Sequence, residues 1–403
     1  MKFSIVYFGD IHAVNGVNFV TNFFVKGKDL FSDNGVEMNY VFSKNGITDL
    51  SNINDIQIGK HIDSYRHKFT RTLRQNLAQL LHSKHRIFAQ FKIVKNLIEP
   101  ARWVVQNYIN KINEEDCILF QDILTAYFYL TDRNRNYKVK TVLLLHCDVD
   151  VYEQIFLSYP SIIGSKFENK LQEIKRVVYK EISTVVFLSE KALYHNQLLL
   201  EGKSTFIYNG IDEISVKYLN DDFFNIVCVG SISGRKGQEL IIKALSQIDN
   251  RSNIRLHIIG SGPKLEDLKE LTESVGLTDN VVFYGVRNDI PKLLESMDLM
   301  VLPSKSEGMP ISILEGMRQG MYILATKVGA IPEMLTSDFG DFIERNPDDI
   351  KEKIEMVFRS SDEEIKEFKK SARKYFLEHF THEKMIENYS SLFKRLLHDE
   401  KNI

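Results

Sequence analysis

The sequence is poor in cysteine, proline and tryptophan, with three, eight and one of them among 403 residues. Cys117, Cys147 and Cys228 are far apart, which excludes a disulfide framework and a cluster of closely spaced thiolate ligands. A reducing, cytoplasmic location is therefore expected. Low-complexity tracts are also absent, and 43% of the residues are hydrophobic, so the composition is that of a folded globular protein.

Long hydrophobic runs are absent as well. No apolar segment approaches the roughly 20 residues of a membrane-spanning helix. Residues 2–8 are typical of a first β-strand, and they lack the longer apolar core and the small-residue cleavage site of a signal peptide. The sequence predicts a cytoplasmic protein, with peripheral contact to the inner face of the cytoplasmic membrane as a further hypothesis.

Charge is nearly balanced over the whole chain, at −2, but it is unevenly distributed. Residues 60–111 contain eleven lysines and arginines and two acids, so this stretch carries +9 and the rest −11. Ile87 and Phe91 recur there at helical spacing, and Trp103 follows. Such a basic amphipathic helix can lie on an anionic membrane, or it can cover a sheet with a solvated basic face. Nucleic-acid binding is not predicted, because no recognition motif accompanies the charge.

Strand and helix patterns alternate along the chain, which indicates parallel α/β sheets. The predicted strands are 2–8, 36–42, 117–120, 139–145 and 184–188 in the first half and 225–229, 254–259, 281–284, 298–302 and 322–326 in the second. The predicted helices are 17–31 and 190–201 in the first half and 237–247, 264–275, 290–296, 311–319 and 348–359 in the second. One or two further helices are expected in the last ~40 residues.

Two such sheets predict two Rossmann-like domains, an α/β architecture. We assign 1–212 to the N-terminal domain, with a basic helical insertion at 60–111, and 222–380 to the C-terminal domain. The polar segment 212–222 is the predicted hinge, and 381–403 is predicted to pack back on the N-terminal domain. A ligand is then expected in the cleft between the domains, outside the carboxyl ends of the strands.

Residues 307–315 carry the most specific chemistry and read Glu-Gly-Met-Pro-Ile-Ser-Ile-Leu-Glu. Glu307 lies in a Gly/Pro loop after an apolar strand, and Glu315 lies two turns into a helix that Pro310 opens. The backbone N–H groups of the first turn are free to meet an anion, and carboxylates accept hydrogen bonds from sugar hydroxyls. A nucleotide-sugar offers both a diphosphate and hydroxyls.

Two glycine-rich turns each connect a strand to a helix. Residues 229–237 read Val-Gly-Ser-Ile-Ser-Gly-Arg-Lys-Gly, and residues 259–263 read Ile-Gly-Ser-Gly-Pro. Glycines let a backbone approach a ligand, and the adjacent Arg235 and Lys236 can neutralise a diphosphate. Taken alone, the first turn is equally compatible with a structural role, and the second turn is a weaker signal.

Together these segments resemble the retaining glycosyltransferases of family 4, the glycosyl transferases group 1, which have the GT-B fold. The resemblance extends over most of the chain and is densest from 185 to 333. It rests on the following segments: Ser-Glu at 189–190, Asn-Gly-Ile-Asp at 209–212, the two glycine-rich turns, Val-Phe-Tyr-Gly at 282–285, Leu-Pro-Ser at 302–304, the two glutamates, and Val-Gly-Ala-Ile-Pro-Glu at 328–333.

The resemblance implies a role for each matching residue. Lys236 would bind the donor diphosphate, and Glu307 would lie near the donor sugar and phosphate. Glu315 would accept hydrogen bonds from the ribose hydroxyls. The family usually has an arginine where this chain has Ser231, and Arg235 is our hypothesis for the replacement of that charge.

Further donor contacts are implied by position. The backbone of Gly308, Met309, Pro310 and Ile311 would hold the diphosphate and sugar, and the segment from Val286 would lie against the base. Gly16 matches the glycine-rich loop after the first strand, where the family usually has two adjacent glycines. His146, at the end of an apolar strand, matches a histidine that touches the donor sugar. His146, Lys236 and Glu307 are therefore the predicted catalytic residues.

The triplet Asp148-Val149-Asp150 has the D-x-D form that marks metal-bound nucleotides in glycosyltransferases of the other main fold. Here Lys236, Arg235 and a helix N-terminus already oppose the phosphate charge, so we predict no metal and no cofactor. Loop or helix-capping chemistry is the expected role of the triplet. The family often has an aspartate directly after the histidine; Cys147 stands there, which leaves the role of Asp148 open.

The resulting hypothesis is a retaining, metal-independent glycosyltransferase. It would move a sugar from a nucleotide diphosphate donor, with UDP the commonest in the family, to a hydroxyl of a glycan or polyprenyl-linked acceptor in bacterial surface polysaccharide synthesis. A protein acceptor is an alternative. Two alternatives to transfer are a sugar-nucleotide epimerase of the same fold and a non-catalytic partner subunit. The Glu307–Glu315 segment favours the transferase over the epimerase.

Overall fold

The computed structural model describes residues 1–9, 16–50, 85–111, 115–147, 150–219, 222–249 and 251–398. The chain divides into two compact units, Met1–Ile207 with Met385–Ile403, and Tyr208–Lys384. The domain limits predicted from the sequence, 212, 222 and 380, stay predictions. Among the described residues, no helix combines the length and the apolar character that a membrane crossing requires.

The first unit is built on a seven-stranded sheet in the order β3-β2-β1-β4-β5-β6-β7. Its strands are β1 Lys2–Val6, β2 Glu37–Ser43, β3 Gly46–Asp49, β4 Cys117–Phe120, β5 Lys140–Leu144, β6 Thr184–Phe187 and β7 Ser204–Phe206. All neighbours are parallel except β3, which forms an antiparallel hairpin with β2 at the edge. The central strands are buried along their length because helices cover both faces. The short edge strands β3 and β7 were not predicted, since neither has a long apolar run.

The helices of the first unit are Gly16–Lys26, Lys28–Asp33, Arg86–Ile93, Glu99–Lys111, Ile123–Thr131, Glu153–Ser158, Lys166–Glu181, Glu190–Leu200 and His382–His398. The single helix predicted at 17–31 is wrong, because the chain turns at Gly27 between two helices. Glycine is a poor residue for a helix interior, and the break lets Phe31 enter the core, where it is fully buried.

The described part of the basic segment is helical from Arg86 to Lys111, with a π-helical stretch at Val94–Ile98 between two α-helices. Pro100 has no backbone N–H to donate to the preceding turn, which accounts for the wider hydrogen-bond spacing there. Residues 51–84, and with them the start of the predicted insertion, lie outside the described residues. Ala101, Val104, Val105 and Tyr108 bury one face of the second helix.

The last helix, His382–His398, packs against the first strand and the first helices of the same unit. The ring of Phe393 lies 4.8 Å from that of Phe3, and the ring of Tyr389 lies 4.8 Å from that of Phe24. Its residues from Met385 onward therefore belong to the unit formed by the chain start. The predicted return of the C-terminal helix to the N-terminal domain is confirmed.

The second unit has a six-stranded parallel sheet in the order β10-β9-β8-β11-β12-β13. Its strands are β8 Phe224–Val229, β9 Ile254–Ile259, β10 Val281–Gly285, β11 Leu299–Leu302, β12 Tyr322–Ala325 and β13 Gly340–Phe342. The strand order reverses between β8 and β11. In open α/β sheets, ligands bind outside the carboxyl ends of the strands at such a point, and the turns after β8 and β11 hold the residues predicted for the donor.

The helices of the second unit are Gln238–Ser246, Leu265–Ser274, Ile290–Leu293, Ile311–Gln319, Ile331–Met334, Pro347–Phe358 and Asp362–His379. The prediction for 311–319 is confirmed at both ends. Pro310 is the N-cap residue and not the first helical residue, so the helix begins one residue later than its proline suggested. Gly320, in the left-handed conformation, ends it.

The predicted hinge segment runs along the second unit and is held there by hydrogen bonds. The guanidinium of Arg318 donates to the carbonyl of Asp212, and Gln319 donates to that of Lys217. Arg373 donates to Ile214 and contacts the Glu213 carboxylate. Side chains of the second unit thus satisfy three backbone carbonyls of this segment.

Candidate functional site

Lys236 and Glu307 form the centre of the candidate donor site in the second unit. Lys236 lies in the turn after β8 and Glu307 in the loop after β11, the neighbouring strand. Nζ of Lys236 is 2.6 Å from Oε1 of Glu307, and Nη1 of Arg235 is 3.3 Å from Oε2. Lys236 and Glu307 are each only 8% exposed. The structure therefore brings Glu307 together with two predicted cations that lie 71 and 72 residues earlier in the sequence.

The loop that carries Glu307 requires a glycine in the loop that follows β12. Gly329 has a φ of +60°, and a Cβ added there would lie 2.3 Å from the carbonyl oxygen of Glu307 and 2.4 Å from that of Gly308. The next residue, Ala330, donates its N–H to the Gly308 carbonyl over 2.8 Å. The Val-Gly-Ala segment thus supports the backbone beside Glu307.

Arg345, which follows β13, was missed by the sequence analysis. Its guanidinium donates to the carbonyl of Pro303, and also to those of Gly234 at 3.3 Å and Arg235 at 3.4 Å. Arg345 therefore joins the turn after β8 to the loop after β11 through backbone acceptors. No sequence motif marks it, because its partners are carbonyl groups that every residue has.

Glu315 lies on the helix Ile311–Gln319 and is 8% exposed. Burial raises the pKa of its carboxyl group to about 7, and the nearby Arg318 opposes that shift. Within the described ranges, no side-chain or backbone donor bonds to this carboxylate. Its acceptor oxygens are therefore available to hydroxyl groups of a ligand, the task predicted for it.

The N-terminus of the same helix offers backbone donors. Pro310 contributes none, because proline has no N–H. In the part of the chain that the structure describes, the N–H groups of Gly308, Met309 and Ile311 have no protein acceptor. The side chain of Met309 is buried and its sulfur accepts the N–H of Asn209 over 3.1 Å. Met309 therefore offers a ligand its backbone N–H and not its side chain.

In the first unit, His146 follows β5 and its Nε2 is 3.2 Å from Oε1 of Gln121, which directly follows the neighbouring strand β4. Thr21, on the helix Gly16–Lys26, places its hydroxyl 3.1 Å from the same amide oxygen. Burial lowers the pKa of His146 to about 4, so the imidazole is neutral at physiological pH. Gln121 was not predicted, although it stands at a strand end as His146 does.

The remaining predicted residues lie on other elements. Gly16 begins the helix Gly16–Lys26, and the loop before it, 10–15, lies outside the described residues. Val286 follows β10 and is half-buried; the next residue, Arg287, forms an exposed ion pair with Asp289 at 2.6 Å.

The D-x-D triplet is described only at its last residue, since 148 and 149 lie outside the described residues. Asp150 accepts the N–H of Tyr152 over 2.8 Å, just before the helix Glu153–Ser158. This contact is of the turn-capping kind. The described residues contain no group of three or more side chains that could hold a metal ion.

Part of the chain matches a known protein family. Residues 211–375 match the family described as glycosyl transferases group 1. Relatives include an N-acetyl-alpha-D-glucosaminyl L-malate synthase of Bacillus anthracis, 25% identical over 224 residues, or 55% of this chain and 56% of that protein. The O-antigen biosynthesis glycosyltransferase WclY of Escherichia coli is 23% identical over 277 residues, 65% of this chain and 74% of the relative. The chain thus spans about half the length of the first of these relatives.

Solved structures resemble the whole chain. HepE of Anabaena in complex with UDP has a TM-score of 0.66 at 15% identity, covering 98% of this chain and 100% of that one. Sucrose-phosphate synthase of Thermosynechococcus elongatus has a TM-score of 0.72 at 15% identity, covering 99% of both. These likenesses confirm the predicted GT-B fold. The solved structures thus show the fold of the whole chain, and the match to the glycosyl transferases group 1 covers residues 211–375.

Proposed function

We propose that this protein is a retaining glycosyltransferase that moves a sugar from a UDP-sugar to a hydroxyl of a glycan or lipid-linked acceptor. The observation that carries the proposal is the pair of buried charges at 2.6 Å, Lys236 and Glu307. With them stand backbone N–H groups and the Glu315 carboxylate, which have no bonding partner within the described ranges. Cations and amides match a diphosphate, and carboxylates match hydroxyls.

Charge development explains how these groups would accelerate the reaction. When the bond between the anomeric carbon and the donor phosphate breaks, negative charge grows on the diphosphate. Lys236, Arg235 and the N–H groups of Gly308, Met309 and Ile311 are the groups proposed to stabilise that charge. Because these donors already supply positive potential, we propose that a metal ion is not required.

Retention would follow from attack on the same face that the phosphate leaves. The acceptor oxygen forms the new bond to the anomeric carbon, and its proton passes to the departing phosphate oxygen. No step then needs a carboxylate nucleophile on the opposite face. The first unit would contribute His146, whose neutral imidazole can exchange a hydrogen bond with a sugar hydroxyl.

The donor and acceptor classes rest on the relatives. HepE is the protein that was solved with UDP, and WclY is named for O-antigen biosynthesis. We infer a UDP-sugar donor and an acceptor in surface polysaccharide assembly from these names. A polyprenyl-linked acceptor would place the reaction at a membrane surface.

The direct test is a panel of UDP-glucose, UDP-galactose, UDP-N-acetylglucosamine, UDP-N-acetylgalactosamine and GDP-mannose, with and without EDTA. Thermal shift reports binding by mass action, and slow nucleotide release reports donor cleavage. A donor that stabilises the fold and releases UDP in the presence of EDTA supports the proposal. Absence of binding to every donor would favour a non-catalytic subunit, and a changed sugar without release would favour an epimerase.

We further propose that the basic helices of the first unit contact an anionic membrane. Ile87, Phe91 and Trp103 are 80%, 59% and 48% exposed there. Lysines and arginines accompany them, and Nζ of Lys95 lies 5.9 Å from the centre of the Phe91 ring. Apolar side chains flanked by cations suit the headgroup region of an anionic bilayer.

Co-sedimentation with phosphatidylglycerol vesicles tests this surface. We expect binding that salt weakens and that phosphatidylcholine vesicles do not support. The double variant Ile87→Ser/Phe91→Ser should lose most of it. Leu198→Ser is the matched control, because Leu198 is 90% exposed on another helix of the same unit. Equal sedimentation of the double variant and the native protein would contradict the proposal.

A further inference from the structure

Gln121 is a buried polar side chain at a strand end of the first unit, and the reaction outlined above gives it no role. It is 4% exposed and directly follows β4. One atom of its amide group meets two partners, the hydroxyl of Thr21 at 3.1 Å and Nε2 of His146 at 3.2 Å. The other amide atom is buried and has no hydrogen-bond partner among the residues that the structure describes.

The unpartnered atom is the informative one. Buried polar groups in folded proteins nearly always have partners, and an exception calls for an explanation such as a ligand. The oxygen and nitrogen of an amide can exchange places by rotation of the side chain. Either orientation leaves one strong acceptor or one strong donor without a partner. A hydroxyl can serve both, since it donates and accepts.

The amide atom of Gln121 that contacts Thr21 and His146 also affects the imidazole of His146. Thr21 and Gln121 come from a helix and a strand end that the fold fixes, and His146 comes from the neighbouring strand. A neutral imidazole has one donor and one acceptor nitrogen. Because Gln121 contacts Nε2, it selects the tautomer and holds the plane of the ring.

We propose that Gln121 is a ligand-binding residue of the transferase site, which bonds a sugar hydroxyl with its second amide atom and positions His146 with the first. This rests on the proposed function. The hydroxyl can belong to the donor sugar or to a sugar of the acceptor. The following experiment distinguishes these two sources.

The first test is Gln121→Met, which keeps the length of the side chain and removes both polar atoms. Calorimetric titration measures the affinity for UDP and for the UDP-sugar that the native protein prefers, and steady-state kinetics give KM for the acceptor. We expect UDP affinity within twofold of native. One lost hydrogen bond should weaken either UDP-sugar affinity or acceptor KM by roughly 3- to 10-fold, and the affected quantity identifies the source of the hydroxyl.

Ser390→Ala is the matched control. Ser390 lies on the last helix of the same unit, is 1% exposed, and also has a buried oxygen without a partner. We expect the control to leave all three quantities unchanged. If Gln121→Met also leaves UDP-sugar affinity and acceptor KM within twofold of native, the proposal is wrong. If the native protein binds no nucleotide, the proposed function itself fails, which is a different result.

The positioning role has its own readout. In a double-mutant cycle of Gln121→Met and His146→Ala, kcat losses that are less than multiplicative indicate that the two residues act together. Losses that multiply would overturn the positioning role. Thr21→Val keeps the shape of its side chain and removes a holder of the amide, so we expect a smaller kcat loss from it, with UDP affinity again unchanged.

Discussion

At the scale of single residues, the two glutamates of the second unit have opposite surroundings. Glu307 is held by Lys236 and Arg235, so its charge is compensated within the protein. Glu315 is equally buried, but no donor among the described residues bonds to it. The surroundings of Glu307 suit a group that orders cations around a diphosphate. Those of Glu315 suit a group that accepts hydrogen bonds from ligand hydroxyls.

The charge at Lys236 should matter most for turnover. We expect Lys236→Ala to lower kcat by a factor on the order of 100 or more, because a preorganised cation aimed at developing charge has effects of this size. Donor cleavage followed by UDP release measures it. Lys243→Ala, on the exposed face of the next helix, is the control. Near-native turnover of the Lys236 variant would contradict the assignment.

Glu315 should make stability depend on pH. Burial raises the pKa of its carboxyl to about 7 from the ordinary 4.5. Between these values the folded protein keeps the proton and the unfolded chain releases it. Stability from this group is therefore full below pH 4.5 and falls as pH rises toward 7, by roughly 3 kcal/mol at most.

Glu315→Gln removes this dependence, because the amide does not titrate. We expect the ligand-free variant to have a higher Tm than the native protein at pH 8 and a flatter decline between pH 5 and 7, yet weaker UDP binding. Glu270→Gln, at an exposed position of another helix, should leave the native pH profile unchanged. Parallel profiles for native protein and Glu315→Gln would refute the burial argument.

At the scale of elements, the site is an assembly of loops that follow parallel strands. The turn after β8 carries the cations, and the loop after β11 carries Glu307. The loop after β12 supports that backbone through Gly329, and Arg345 after β13 ties the first two together. Each loop would be an ordinary connection by itself, and the parallel sheet brings them to one edge.

Gly329→Ala tests this support. A side chain at φ +60° is strained and its Cβ would overlap two carbonyl oxygens, so we expect a loss of roughly 2 kcal/mol or more in unfolding free energy. UDP affinity should fall as well, since the strain is released by moving the Glu307 loop. Gly234→Ala, where an added Cβ meets open space, is the control. Equal stability of the two variants would contradict the close approach.

At the scale of the whole molecule, the chain start and the chain end fold together. The first unit is incomplete without the last helix, whose Phe393 is fully buried beside Phe3 and Phe31. The second unit is formed by one continuous stretch, Tyr208–Lys384. The two units can therefore respond differently to a core mutation.

Phe393→Ala should destabilise the first unit by roughly 3–5 kcal/mol, the usual cost of removing a buried phenylalanine. Calorimetry with and without UDP distinguishes the units, because nucleotide raises the transition of the unit that binds it. We expect the UDP-insensitive transition to fall and the other to stay. Lys394→Ala, at an exposed position on the same helix, should change neither. A fall in the UDP-sensitive transition alone would contradict this packing.

The sequence by itself determined much of this protein, because its signals are local. Apolar runs predicted ten of the thirteen strands in the described part of the chain, and both ends of the helix 311–319 were predicted correctly. The turn at 229–237 and the Glu307–Glu315 segment were recognisable since their residue types and spacing express their chemistry. The short strands β3, β7 and β13 and the break at Gly27 were missed, because pairing and packing decide them.

Only the tertiary structure decided which residues meet. The ion pair of Lys236 with Glu307, the three carbonyls held by Arg345, and the contacts of Gln121 with Thr21 and His146 all join distant parts of the sequence. Hydrogen bonds to backbone carbonyls leave no mark on residue type, and the burial that raises the pKa of Glu315 depends on its neighbours in space. Local residue types and spacing indicated the chemistry of the site, and the order of the parallel strands determined its geometry.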